Sequence, residues 1–158
     1  HRRRSARWHG ASQKVGQLAD PLFLDRIDIQ CEITPVPFKD ISQAAPGEPS
    51  ATIRERVIAA RQIQEQRYND IKGIHCNAQM TERMIHQYAE PDADSVEVLR
   101  SAMERLSLSA RAYSRILKVA RTIADLDGSE KVQLPHIAEA IGYRQLDRGD
   151  WAERGMYS

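Results

Sequence analysis

The sequence predicts an all-α fold: a small helical bundle preceded by a linker helix and by one leftover strand. Three observations carry that expectation. From Ser50 onward apolar residues recur three and four positions apart, the spacing that gathers them on one face of a helix. Start and stop residues punctuate the pattern at Thr81, Asp92, Ser109, Gly128 and Pro135. Only residues 27–33 alternate with the period of two that marks a half-buried strand.

In that strand Ile27, Ile29, Cys31 and Ile33 share a face, and Thr34-Pro35-Val36-Pro37 ends it. A lone strand builds no sheet, so its partners are expected in another chain or in a preceding N-terminal part. After a loop at Pro46-Gly47-Glu48-Pro49, Thr52 and Glu55 fit a capping box, and Ile53, Val57, Ala60 and Ile63 form one stripe of a long helix. That helix should fade near Asn69, before Gly73. Asn77-Ala78-Gln79-Met80 reads as a short connector, after which Thr81 caps a helix carrying Met84, Ile85 and Tyr88. Beyond Pro91, Asp92 or Asp94 caps a helix that buries Val96, Leu99, Met103 and Leu106.

The next helix has both ends marked. Ser109 is its N-cap, Leu108 and Tyr113 stand at the two positions of a hydrophobic staple, and Gly128 supplies the left-handed residue that closes it. Tyr113, Ile116, Ala120 and Ile123 are its expected buried face. Pro135, at the first helical position, opens a last helix through Ile137 and Ile141 to near Gly142. The organisation read from this is a disordered basic head (1–20), a segment holding the strand (21–35), a linker and long helix (36–74), the bundle (75–148) and a tail (149–158). The compact unit is expected over about residues 77–146, with a core thin enough to want a neighbour.

Composition narrows the function classes. At 41% hydrophobic and 28% charged residues, the chain suits a soluble globular protein, and it holds no run long enough to span a membrane. Net charge is +1 but uneven: Arg2, Arg3, Arg4, Arg7 and Lys14 stand against Asp20 alone in the head, a local +4 that leaves −3 on the rest. By charge the globular part is no general nucleic-acid binder. Cys31 and Cys76 have no CxxC spacing and read as two reduced thiols of a cytoplasmic protein. Neighbours such as His75 and Cys76 rarely chelate one metal, and no second pair stands at ligand spacing, so no metal site is expected. His86 and His136 read as surface residues, and Trp8 and Trp151 as tail residues.

No complete catalytic set is present. The G-x-x-x-x-G-K-[ST] phosphate loop is missing, as is an apolar strand ending in the paired acids that hold magnesium, so this polypeptide alone should not hydrolyse ATP. One residue stands against its local electrostatics. Arg111 puts a cation in the first turn of a helix, where the dipole disfavours it and where anions bind. The alternative is an ordinary surface pair with a carboxylate such as Glu104. Arg115 lies one turn further on, and Arg121 reads as solvated or ion-pairing.

Several stretches together resemble the Mg-chelatase-like AAA+ ATPases, in particular their competence-associated branch-migration helicases. They are Asp25-Arg26-Ile27-Asp28, Arg54-Glu55-Arg56-Val57, Asn77-Ala78-Gln79-Met80, Leu108-Ser109-Ala110-Arg111-Ala112-Tyr113, Ala120-Arg121-Thr122-Ile123-Ala124-Asp125-Leu126 and His136-Ile137-Ala138-Glu139-Ala140. The chain departs from the family in having three residues, Leu22-Phe23-Leu24, between Pro21 and Asp25 where relatives usually have two. The resemblance implies that residues 21–35 are the end of an α/β core, whose leftover strand this is, and that residues 75–148 are the C-terminal helical lid that closes over ATP. It implies that Arg111 is the sensor 2 residue on the nucleotide phosphates, with Arg115 as a further phosphate contact, and that Arg26 is the arginine finger reaching into the neighbouring subunit. ATP and magnesium would be held by the full-length parent and not tightly by this chain. The implied partners are the N-terminal AAA+ core of the same protein, further copies in a homo-oligomeric ring, expected to be hexameric, and DNA as a candidate substrate. The competing reading is a free-standing helical protein- or DNA-interaction module with the basic head as its arm.

Overall fold

The computed structural model describes residues 26–31, 33, 36 and 47–144. The basic head, the tail, Trp8 and Trp151 lie outside them. Within this range the chain forms α1 (Ser50–Tyr68), a 3-10 turn (Asn77–Gln79), α2 (Glu82–Tyr88), α3 (Ala93–Arg105), α4 (Ala110–Leu126) and α5 (Leu134–Gly142). Among the described residues there is no strand, and the fold is the all-α bundle that the helical periodicity implies. α4 is its centre, packing against α1, the 3-10 turn, α2 and α5, while α3 lies on α5.

The caps explain where most helices begin. The Thr81 hydroxyl accepts from the Met84 amide, an Asp92 carboxylate oxygen from the Ser95 amide at 2.9 Å, and the Ser109 hydroxyl from the Ala112 amide at 3.1 Å. Asp92 therefore takes the cap, and Asp94 falls in the first turn of α3. Hydrogen bonding at Ser95 holds the Asp92 carboxyl below the ordinary carboxylate range. A lowered folded-state value means this cap is fully effective above the ordinary carboxylate pKa and is lost as pH falls below it.

Helices α3 and α4 end alike. At α4 the Ser129 amide bonds back to the Ala124 carbonyl (2.8 Å) and Gly128, at φ +66°, to Asp125 (3.2 Å). At α3 the Leu108 amide reaches the Met103 carbonyl (3.0 Å) and Ser107 that of Glu104 (3.3 Å). Both are Schellman closures, which need a left-handed residue. Ser107 occupies that position at φ 48° without being glycine.

Four local expectations are corrected. The Thr52–Glu55 capping box does not form, because Pro49, with φ already at −62°, leads straight into α1 and no side chain caps it. A paired contact from the Arg56 guanidinium to Glu48 at 2.7 and 2.9 Å spans that start instead. Ile53 and Val57 are exposed, and the buried positions of α1 are Ala60, Gln64 and Tyr68. Its second half thus belongs to the packed unit, which begins ahead of Asn77. In α3 the buried stripe runs through Ser95, Leu99, Ala102 and Leu106, a rotation that leaves Val96 outside. α5 starts at Leu134, so Pro135 follows its first residue.

Residues 27–31 do not form the expected strand. A ladder needs a second strand, and none of the described residues supplies one. Among the described residues the segment makes one backbone–backbone bond, from the Gln30 amide to the Tyr143 carbonyl at 3.0 Å, and Ile29 and Ile33 are exposed.

The apolar core runs from Tyr68, Met80 and Ile85 through Leu99, Ile116 and Leu117 to Val132 and Ile137, and Leu108, Tyr113 and Ile123 pack against it. Inside it lies a polar cluster. Asp125, with no exposed side-chain surface, accepts from Arg67 at 2.5 and 2.8 Å, from Arg121 Nε at 3.1 Å and from the Asn77 amide group at 2.8 Å. Asn77 also donates to Thr122, accepts from Arg67 and the Tyr68 hydroxyl, and has its backbone amide held by Gln64. The remaining donors of Arg121 go to the carbonyls of Ser129 (2.6 Å), Glu130 (2.8 Å) and Tyr88 (3.4 Å). Asp125 raises the pKa of Arg67, whereas burial outweighs the same carboxylate at the deeper Arg121 and lowers it. Both guanidiniums stay charged.

Asp125→Ala strands the buried guanidinium of Arg121 and the half-buried one of Arg67 and should cost about 3–5 kcal/mol in urea unfolding. Glu97→Ala, which breaks an exposed pair with Arg100, should leave the urea midpoint essentially unchanged. Ser107→Gly should raise the melting temperature by removing left-handed strain, and Gly128→Ala should lower it by introducing the same strain, about 1 kcal/mol.

Candidate functional site

The buried stripe of α4, from Ala112 and Ile116 to Leu117, Ala120 and Ala124, fixes which residues the helix turns outward. Opposite it, Arg111, Arg115 and Lys118 stand at four- and three-residue intervals, so all three cations lie along one side. They line an open cleft of about 670 Å³ that begins at the N-terminus of α4 and is bounded by Ala78, Glu82 and Asp28.

Hydrogen bonds set the cleft's walls. Lys118 Nζ donates to the Ala78 carbonyl at 3.0 Å, which ties α4 to the 3-10 turn. Ser114 donates to Glu82 at 2.9 Å, tying α4 to the first turn of α2. Arg115 pairs with Asp28, 87 residues away in sequence, and so brings the N-terminal segment to the cleft. That segment is also held at the end of α5, where buried Arg144 donates to the Ile27 carbonyl at 2.5 Å and the Tyr143 carbonyl accepts from Gln30.

Arg111 is exposed in a first turn that contains no acidic residue, at the positive end of a 17-residue helix. Glu104, considered above as its surface partner, pairs with Arg100 at 3.1 Å. Arg26 is exposed and, among the described residues, makes no ion pair; Asp28, one of its considered partners, is engaged by Arg115. The structure therefore brings Arg111 and Arg115 into one cleft and puts Arg26 two residues from the acid that borders it. Chemically, a helix N-terminus with three cations suits a multivalent oxyanion, since guanidinium forks match phosphate and carboxylate oxygens.

Sequence reasoning missed Lys118, although its spacing from Arg111 and Arg115 on one helix could have found it. Of the two readings of Arg121, solvated or ion-pairing, the structure bears out the second: the side chain is ion-paired and buried at 2% exposure. The clue was Asp125 four residues on, with the small residues Ala120 and Ala124 one position before each member of the pair. His136 is likewise buried rather than on the surface. Its Nδ1 accepts the Gln133 amide at 3.0 Å, so Nε2 carries the proton toward Asp127 at 3.2 Å. Cys31 and Cys76 are free thiols, and no group of three acidic, histidine or cysteine side chains among the described residues could hold a metal ion. No helix among these residues is long and apolar enough to cross a membrane.

Residues 47–144 match the family model described as magnesium chelatase, subunit ChlI C-terminal. The chain is 40% identical over 135 residues to the uncharacterized protein YifB of Escherichia coli K12, covering 85% of this chain and 26% of that protein. It is 39% identical over 135 residues to the competence protein ComM of Haemophilus influenzae, covering 85% of this chain and 25% of that protein. The uncharacterized protein Rv2897c of Mycobacterium tuberculosis is 33% identical over 131 residues, covering 83% and 25% respectively. The chain thus spans about a quarter of the length of these curated relatives. The match takes in α1 to α5 with the buried cluster and the three cations of the cleft, though not Asp28, and the chain belongs to the magnesium chelatase ChlI C-terminal family.

Proposed function

We propose that this bundle is the lid of a Mg-chelatase-like AAA+ ATPase, closing over a nucleotide held by an α/β core elsewhere in the protein. The observation that carries the reading is the row formed by Arg111, Arg115 and Lys118, which lines one cleft at the N-terminus of α4. In this reading Arg111 contacts the nucleotide phosphates as sensor 2, with Arg115 beside it. Arg26 acts across the subunit boundary as the arginine finger of a ring, expected to be hexameric. A delocalised guanidinium neutralises charge that builds on the transferred phosphoryl oxygens, which is why one residue of this kind can dominate a rate. The cleft's donor set does not fit magnesium. Its two carboxylates are engaged, Glu82 by Ser114 and Asp28 by Arg115, and its other charged groups are cations. Magnesium therefore belongs with the core, and the part played by these residues is to bind and orient phosphate.

In this reading the whole is a cytoplasmic machine that works on DNA by branch migration; the family membership and the competence protein among the relatives support its Mg-chelatase-like kind. ATP turnover in the ring would be converted into movement of that substrate. The chain alone, with no phosphate loop in its sequence, should bind ATP weakly and not hydrolyse it.

Arg111→Gln removes a cation from an unfavourable dipole position, so thermal unfolding of this chain should be unchanged or improved by about 0.3–1 kcal/mol. In the full-length ATPase the same change should lower steady-state hydrolysis about a hundredfold. If it unfolds the lid yet leaves turnover per folded ring intact, the sensor assignment fails. Arg26→Ala in the intact ring should lower turnover by about 10³ or more while nucleotide binding stays nearly unchanged. Mixing it with a subunit defective only in its phosphate loop should restore activity, because one mixed interface then holds both parts. Absence of rescue in confirmed mixed rings would remove the trans role.

A further inference from the structure

We propose that Asp28 is a displaceable stand-in for phosphate: bound to Arg115, it latches the Arg26 segment over the cleft until a phosphate chain takes the guanidinium from it. The inference rests on the phosphate-cleft reading above and adds a regulatory step to it. The carboxylate of Asp28 borders the same cleft as Arg111 and Lys118 and is held there by Arg115. Carboxylate and phosphate oxygens compete for the same guanidinium donors, so Arg115 cannot give its full fork to both. The latch is built to yield. The pair is partly solvated, with side chains 27% and 50% exposed, and such pairs are worth at most about fivefold in an equilibrium constant. A polyphosphate, with several charges facing three cations, outcompetes a single carboxylate at that cost.

Release at Asp28 has a defined consequence. The segment keeps its anchors at the end of α5, through the Ile27 carbonyl on Arg144 and the Gln30 amide on Tyr143, but loses its hold on α4. Arg26 lies two residues from Asp28, about 7 Å of extended chain, so it is freed with the latch. Occupancy of the cleft within one protomer is thereby coupled to the freedom of the residue proposed to serve the next. By linkage, the factor by which docked Asp28 weakens phosphate binding equals the factor by which phosphate weakens docking.

The test uses the full 158-residue chain with Cys76→Ser and a fluorophore on Cys31, an exposed thiol three residues from Asp28. Inorganic tripolyphosphate is the probe, its affinity followed by phosphorus NMR and the segment by fluorescence anisotropy. Tripolyphosphate should loosen the label in the otherwise unaltered chain. Asp28→Asn should loosen it without ligand and tighten tripolyphosphate binding about two- to fivefold. Glu82→Gln removes the same charge from the same cleft but no partner of Arg115, and should leave the label held until tripolyphosphate is added. If tripolyphosphate binds all three proteins while the label never moves, or if Asp28→Asn gains no more affinity than Glu82→Gln, the latch is overturned and the phosphate cleft stands. If none of them, Asp28→Asn included, binds tripolyphosphate at millimolar concentration, both the cleft reading and the latch fall.

Discussion

Asp125 is a single carboxylate shared between two guanidiniums in the middle of a bundle too small to hide an unpaired charge. Arg67 brings α1 to it, Asn77 brings the 3-10 turn, and Arg121, from the same helix as Asp125, carries the attachment on to the end of α2 and the loop before α5. The excess positive charge is spread over carbonyl oxygens at Tyr88, Ser129 and Glu130. The carbonyl of Tyr88 closes α2, and Ser129 follows the closure of α4, so Arg121 sits where helix dipoles favour a cation. Asn77 spends its side-chain carbonyl on Arg67 and Tyr68 and its amide on Asp125 and Thr122, which leaves no group of that amide unsatisfied. Such a cluster tolerates no half measures, because removing one member leaves the others desolvated and unpaired.

The cluster matters to the cleft because both are written on α4. A helix pinned at Arg121 and Asp125, and packed through Ile116 and Leu117, has no rotational freedom left about its axis. Its outward residues are then fixed as a row, and Arg111, Arg115 and Lys118 face one cleft as a result of what is buried behind them. Two arginines on one helix thus have opposite surroundings. Arg121 is immersed and satisfied by carboxylate and carbonyls, while Arg111 is exposed at the end where the dipole repels it. The difference is one of position on the helical wheel, not of residue type.

Local chemistry made much of this legible in the sequence. Thr81, Asp92 and Ser109 announce helices because a side-chain oxygen next to an unpaired amide is a purely local event, and Gly128 announces an end for the same reason. The failures are all non-local. Thr52 and Glu55 had the right spacing for a cap, but Pro49 started the helix earlier. Ile53, Val57 and Val96 had the right periodicity but lie away from the packed face, because burial depends on which neighbour arrives and not on period alone. His136 looked like a surface residue because its two partners, an amide three residues back and the Asp127 carboxylate, become visible only when the α4–α5 loop folds. In the cleft, the cation row was half legible through Arg111 and Arg115. The Asp28–Arg115 contact was not, since nothing in two residues 87 positions apart signals that they meet.

The stretches that carried the family resemblance divide along the same line. Asn77-Ala78-Gln79-Met80 and the run from Ala120 to Leu126 contain the buried cluster, whose demands are those of folding. Leu108-Ser109-Ala110-Arg111-Ala112-Tyr113 contains a cap and a staple that begin a helix, and one arginine that those two features do not require. Asp25-Arg26-Ile27-Asp28 holds no apolar residue that the bundle fully buries; its described part touches the rest through Asp28 and a backbone carbonyl. A residue that the fold does not need, in a stretch that otherwise identifies the family, is where function is most economically sought. By that reasoning Arg111, Arg26 and Asp28 are the residues we propose for the chemistry of this region, and Asp125 with its partners holds α4 still enough for such chemistry to have a fixed geometry.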